Sequence, residues 1–278
     1  MNVAERQRPR PGELVVDHVS HFVADLGAAA RACEALDLKV TPTSVQQTPE
    51  GPVGASNRCV MLEEGYIELL APTHDTPAAS RMRALMQRYD GVHLVCFGTP
   101  DAQGEHQRLA AHGFAPQPLV DLARAVEGGT ARFKVVRPAP EKMPEGRIQY
   151  VEQMTPEHVW RAPEVNALRL TQVFVVADDP VITAARWARF AALIPEPGNG
   201  GVRLETARGS IFIADRATLS KLLGEAPAPP AIAGYALACG QPHDFAARCR
   251  KAGLAVQKKG ERHVARLPAA LGGAWLIG

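Results

Sequence analysis

The stretch LVVDHVSHFVADL, Leu14 to Leu26, returns as ALRLTQVFVVADD, Ala167 to Asp179, and this recurrence organises the chain. Each copy is a β-prone run that ends at an acidic residue and passes into a helical pattern: AAARACEAL (Ala28–Leu36) after the first, ITAARWARFAAL (Ile182–Leu193) after the second. Asp25 and Asp179 stand where a helix N-cap belongs. Matching strands close the two units, GYIELLAP from Gly65 and GSIFIAD from Gly209.

A second pair repeats the plan. GVHLVCFGTP (Gly91–Pro100) matches GYALACGQP (Gly234–Pro242), and the helices that follow end alike, RLAAHGFAPQ against RCRKAGLAVQ. Gly113 and Gly253 sit at the C′ position, where a positive φ is wanted. GRIQYVEQ from Gly146 and GGAWLIG from Gly272 are the closing strands. Helices over 78–89 and 217–224 join the units of each pair.

The expected architecture is α+β: four βαβββ modules (14–73, 90–155, 166–216 and 232–278) paired into curved mixed sheets that enclose a cleft, with helices outside. The halves are 14–155 and 166–278, and residues 1–13 read as a loose polar tail. Pairing within one chain or across a homodimer stays open at this point.

Composition narrows the function. Thirty-one Lys+Arg against 29 Asp+Glu give a net charge of only +2, and aromatics are 5%. Neither supports a nucleic-acid or membrane partner, which leaves a small molecule. No apolar run suits an export signal or a membrane span. With five scattered cysteines and no C-x-x-C spacing, the expectation is a cytoplasmic protein with reduced, buried thiols.

Three segments carry a specific resemblance: DHVSHFVAD from Asp17, YIELLAP from Tyr66 and IQYVEQMTPEHVW from Ile148. Tandem βαβββ units with His in the first strand and Glu in the last resemble the vicinal oxygen chelate superfamily, which includes glyoxalase I, extradiol dioxygenases, fosfomycin-resistance proteins and bleomycin-binding proteins. The likeness is greatest to a glyoxalase-like branch. It implies metal ligands from the first and last strands of two paired units, here His18 and Glu68, then His93 and Gln149. Such a set suits a divalent ion (Zn, Ni, Mn or Fe). Glu68 also lies amid Ile67, Leu69 and Leu70, where an unpaired carboxylate is costly. The second half is expected to lack the site, with Thr171 opposite His18, Phe212 opposite Glu68, Tyr235 opposite His93, and Leu276 or Trp275 opposite Gln149.

Strand parity adds neighbours. Ser20 and Phe22 share the face of His18, Phe97 that of His93, Tyr66 that of Glu68, and Arg147 that of Gln149. Asn57 and Arg58 begin the preceding strand and are candidate contacts for an anionic group. His21 and Tyr150 fall on the opposite face. The resemblance implies a metal-dependent isomerase or lyase acting on a small oxygenated substrate, with Glu68 able to serve as base. The alternatives are a non-catalytic small-molecule or antibiotic-binding protein and an Fe(II) extradiol-type dioxygenase.

Overall fold

In the computed structural model, which describes residues 3–278, each module begins with a strand and a helix and ends with three strands. The first module is β1 (Val15–Phe22), α2 (Leu26–Glu34), β2 (Ser44–Thr48), β3 (Gly51–Glu64) and β4 (Tyr66–Pro72); α1 (Val3–Gln7) precedes it. Then α3 (Pro77–Met86) leads to β5 (Val92–Gly98), α4 (Ala102–Ala111), β6 (Val120–Val126), β7 (Gly129–Val136) and β8 (Arg147–Gln153). The third module is β9 (Asn166–Val176), α5 (Pro180–Ala191), β10 (Pro195–Gly198), β11 (Gly201–Glu205) and β12 (Ser210–Ala214). After α6 (Arg216–Leu223) come β13 (Ala231–Ala238), α7 (Pro242–Lys251), β14 (Val256–Lys259), β15 (Arg262–Arg266) and β16 (Ala274–Ile277).

The expected caps form. Asp25 accepts from the Ala28 amide, Asp179 from those of Val181 and Ile182, and Gly113 and Gly253 have φ of 77° and 86°. Each cap satisfies amides that the first helical turn leaves without partners.

In the first half the modules pair within one chain and close on themselves. Strand β1 pairs parallel with β4 and antiparallel with β5; the ring runs on from β4 through β3, β2, β6, β7 and β8 back to β5. Closure leaves this half without a free sheet edge. The second half has the same internal order, with β9 against β13 at its centre, but stays open: among the described residues no pairing joins β10 to β14. Short pairings of β3 with β9 and of β5 with β13 make the two halves one continuous sheet.

Apolar side chains fill two kinds of space. Val19, Val95, Phe97 and Tyr150 face outward from the barrel and pack under the helices with Trp187 and Phe190 of α5. Met61, Tyr66, Leu70, Leu94, Phe133 and Val151 face inward. The N-terminal stretch departs from the loose tail expected of it. Gln7 is fully buried, its amide nitrogen donating to the Glu63 carbonyl at 2.5 Å and its oxygen accepting from the Gly65 amide at 3.1 Å. Polar composition hid this, because the segment is held by backbone groups at the β3–β4 turn.

Candidate functional site

The four parallel pairings between first and last strands fix which positions correspond. His18 lies beside Tyr66 and Ser20 beside Glu68; in the second module Leu94 lies beside Arg147 and Cys96 beside Gln149. Leu94 is therefore the counterpart of His18. In the second half Gln172 beside Ser210 takes the place of His18, Phe212 that of Glu68 and Leu276 that of Gln149, while Tyr235 beside Trp275 corresponds to Val95. Thr171 thus stands one residue from the true register and Tyr235 two, since Ala233 is the counterpart of His93. The contrast survives the shift, since none of these replacements is a strong metal ligand.

His93 leaves the site because of a bulge. On β1 the residues Ser20 and His21 are adjacent, yet they face Leu94 and Val92 on β5, so His93 is the unpaired extra residue. Its ring is buried between Phe22 and Tyr89, at centroid distances of 5.3 and 4.7 Å, and its Nε2 lies 2.8 Å from the Tyr89 carbonyl oxygen. Burial pushes its pKa down to about 4, so the ring is neutral. Phe97 shares the error, lying in the outer core against Tyr150. Arg58 also points elsewhere, bonding the Thr41 carbonyl and the Glu34 carboxylate.

The remaining candidates converge inside the barrel. His18, Tyr66, Glu68, Asn57, Arg147 and Gln149 line one cavity of about 30 Å³, room for a water molecule or two. A second bulge prepares His18: β1 gains a residue at Asp17, and the Asp17 carboxylate bonds both His18 Nδ1 at 2.6 Å and the Gln153 amide of β8. Tyr66 stacks on the His18 ring, centroids 4.2 Å apart. Gly65 makes this turn possible with φ of 74°, and a Cβ there would come within 2.8 Å of the Asp17 carbonyl oxygen.

Glu68 is held from several sides. Its Oε1 accepts from Asn57 at 2.6 Å and Gln46 at 3.1 Å, its Oε2 accepts from the Ser20 hydroxyl, and His18 Nε2 is 3.9 Å away. Phe22, expected to touch substrate, instead lies under the Arg147 guanidinium, 5.0 Å from its ring centre.

The barrel also brings in groups that the sequence did not single out. Arg124 of β6 and Arg137, just past β7, reach the same cavity as Arg147. Among the described residues no carboxylate lies within 4 Å of any of these three guanidiniums, and no hydrogen bond holds Arg147. Burial, then the neighbouring Arg137, lowers the Arg147 pKa to about 9. Burial lowers that of Arg137 as well, whereas at Arg124 it is outweighed by Cys59, Tyr66 and Glu68, and the pKa rises. The only advance sign of Arg124 and Arg137 was a lone charge in an otherwise small or apolar run, ARA and VVRP.

His18 carries charge too. Burial opposes the imidazolium, but Cys96 and the Asp17 carboxylate more than offset it, and the pKa is raised well above that of an ordinary histidine. Burial raises the Cys96 thiol as well, so the bond to Asp17 is the contact that persists near neutrality. The other cysteines are free, with burial pushing Cys33 and Cys59 to about 12, as inert thiols require.

A divalent ion fits this donor set poorly. Among the described residues no three His, Cys, Asp or Glu side chains lie together as a metal site. The Gln149 oxygen already accepts from Arg137 Nε at 3.0 Å and His93 is turned away, so of the expected ligands only Glu68 and Nε2 of His18 remain, fewer than the three protein ligands a zinc-type site uses. A divalent cation beside three arginines would also be repelled. The arrangement is built instead to receive negative charge.

A model of the glyoxalase-like domain matches residues 16–191. No curated protein matches the chain in sequence. Among solved structures, a hypothetical protein from Staphylococcus aureus superposes with a TM-score of 0.69 at 12% identity, covering 95% of this chain and 99% of that one. A mutant 4-hydroxymandelate synthase from Streptomyces coelicolor gives 0.54 at 14% identity over 95% and 92%. A xylose isomerase-like TIM barrel/4-hydroxyphenylpyruvate dioxygenase fusion protein gives 0.59 at 10% over 95% and 48%. At these identities the likeness is one of fold. Among the described residues no helix is long and apolar enough to cross a membrane. By its modules, its register and the matched domain, the chain belongs to the glyoxalase-like domain family of the vicinal oxygen chelate superfamily.

Proposed function

We propose that the closed barrel binds a small oxygenated carboxylate and transfers a proton at an oxygen beside it, an isomerase- or lyase-type step that uses this chain's own acid and base. One observation carries the reading. Arg124, Arg137 and Arg147 share a cavity with His18, and among the described residues Glu68 is the only carboxylate on its wall. Desolvated cations without a carboxylate partner are costly, and an incoming carboxylate would relieve that cost through charge-assisted, bidentate bonds. His18, charged and oriented by Asp17, is the group with a proton to give. Glu68, 3.9 Å from His18 Nε2, takes the proton from the carbon next to the carbonyl as His18 gives one to the carbonyl oxygen, so that the C–H bond breaks, an O–H bond forms and an enol results.

The test is calorimetric titration of chelator-treated protein with pyruvate and lactate, and separately with Zn²⁺ and Mn²⁺. The carboxylates should bind without metal, and Arg147→Met should abolish that binding. Stoichiometric metal uptake, with carboxylate binding only afterwards, would sink the proposal.

A second reading, binding without catalysis, is favoured by the engagement of both Glu68 oxygens with Asn57, Gln46 and Ser20. Proton exchange decides between them. Protein-dependent deuterium incorporation into the pyruvate methyl group in D₂O, lost in His18→Gln, marks an enzyme; its absence with binding intact marks a carrier.

A further inference from the structure

Beyond the inner cavity lies a larger chamber of about 410 Å³, and Arg137 and Arg147 line both spaces. Its wall is chiefly apolar: Ala84 and Leu85 of α3 on one side, Pro138, Met143 and Pro144 of the loop after β7 on the other, and Ile148 of β8 at the base. The loop RPAPEKMPEG, Arg137 to Gly146, carries three prolines and a 3-10 turn over Pro140–Lys142, so this wall is stiff. The one carboxylate on the wall, Glu141, is exposed.

We infer that the ligand is amphipathic, a carboxylate held between Arg137 and Arg147 with an apolar body, aryl or branched alkyl, lodged in the chamber under α3. The inference rests on the carboxylate reading of the inner cavity and adds the substrate class. Size supports it. The inner cavity holds little more than a water molecule, whereas the chamber falls within the range of small-molecule sites. Charge supports it as well: Arg137 and Arg147 stand at the junction of the two spaces, and the wall beyond them is mostly apolar, with Arg81 and Arg88 adding positive charge to it. A ligand without an apolar body would leave that wall in water. A ligand without a carboxylate would leave two guanidiniums without a counter-charge.

Calorimetry with three probes tests this: propanoate, 3-phenylpropanoate and 3-phenylpropan-1-ol, on wild type, Ala84→Trp, Ala84→Glu and Arg147→Met. Ala84 is exposed, so both of its variants should fold, and thermal unfolding checks that they do. Burying the ring should make 3-phenylpropanoate bind at least about tenfold tighter than propanoate. It should also bind at least about tenfold tighter than the alcohol. Both Ala84 variants should weaken 3-phenylpropanoate about tenfold or more and leave propanoate unchanged. If 3-phenylpropanoate binds no tighter than propanoate in wild type, the apolar body is overturned while the carboxylate reading stands. If the alcohol binds as tightly as the acid, and Arg147→Met changes neither, the carboxylate reading fails and this inference with it.

Discussion

His93 Nε2 lies 2.8 Å from the Tyr89 carbonyl oxygen, on a ring turned out of the cavity by the one-residue bulge in β5. His93→Phe should therefore leave carboxylate binding unchanged while altering the acid response. With a folded-state pKa of about 4 against an ordinary histidine near 6.5, the unfolded chain binds the proton more readily. Stability is lost as pH falls from about 6.5 towards 4, by up to roughly 3 kcal/mol for this residue. Urea unfolding at pH 7, 5 and 4 should show a shallower acid loss in the variant. A residual loss should remain from His21, which burial also holds at about 4.

His18 has the opposite sign. Its raised pKa means that the folded state favours the proton, so its contribution is fully present below the ordinary histidine range and disappears as pH rises through the raised value. The melting-temperature gap between wild type and His18→Gln should be widest near pH 6 and narrow steadily towards pH 9. A gap that widens with pH would show that the ring is buried neutral.

Arg147→Met should stabilise the protein while destroying its binding. The guanidinium is partly buried, stacked on Phe22 and without a hydrogen bond among the described residues, so an apolar chain of similar length removes a desolvation cost. A gain of about 1 kcal/mol in urea unfolding is expected. A loss of stability would mean that the charge is structural.

Glu68→Ala leaves Ser20, Asn57 and Gln46 without their acceptor and takes away the anion beside His18 Nε2, leaving Asp17 as the one carboxylate against that ring among the described residues. A cost of about 3–5 kcal/mol in urea unfolding is expected, with Glu68→Gln recovering more than half of it by keeping an acceptor oxygen.

Gly65→Ala tests the turn beneath His18. With φ of 74° and the Asp17 carbonyl oxygen in the way, the methyl should cost about 1–3 kcal/mol. By displacing Asp17 it should also lower the His18 pKa in an NMR titration, which a purely local strain would not do.

Much of this was legible in the chain. The repeat announced itself because each module ends at a glycine followed by a buried strand, and alternation with period two correctly placed Tyr66, Glu68, Arg147 and Gln149 on one face. The same rule failed at His93 and Phe97, since a bulge shifts parity by one residue and leaves no mark in composition. Asn57 and Arg58 were offered together, but neighbours on a strand face opposite ways, and only Asn57 meets Glu68. Arg124 and Arg137 escaped notice because their place depends on β6 and β7 closing the ring, a contact distant in sequence from His18.

The open half leaves β10 and β14 each with an unpaired side, where an incoming strand from another molecule could add. Their sequences oppose that: PEPG in β10 offers two prolines with no amide hydrogen, and VQKK in β14 places Lys258 and Lys259 on the rim. The ring of the first half needs no such guard. The duplicated architecture thus suppresses fibril-like stacking in two ways, by closure in one copy and by edge chemistry in the other.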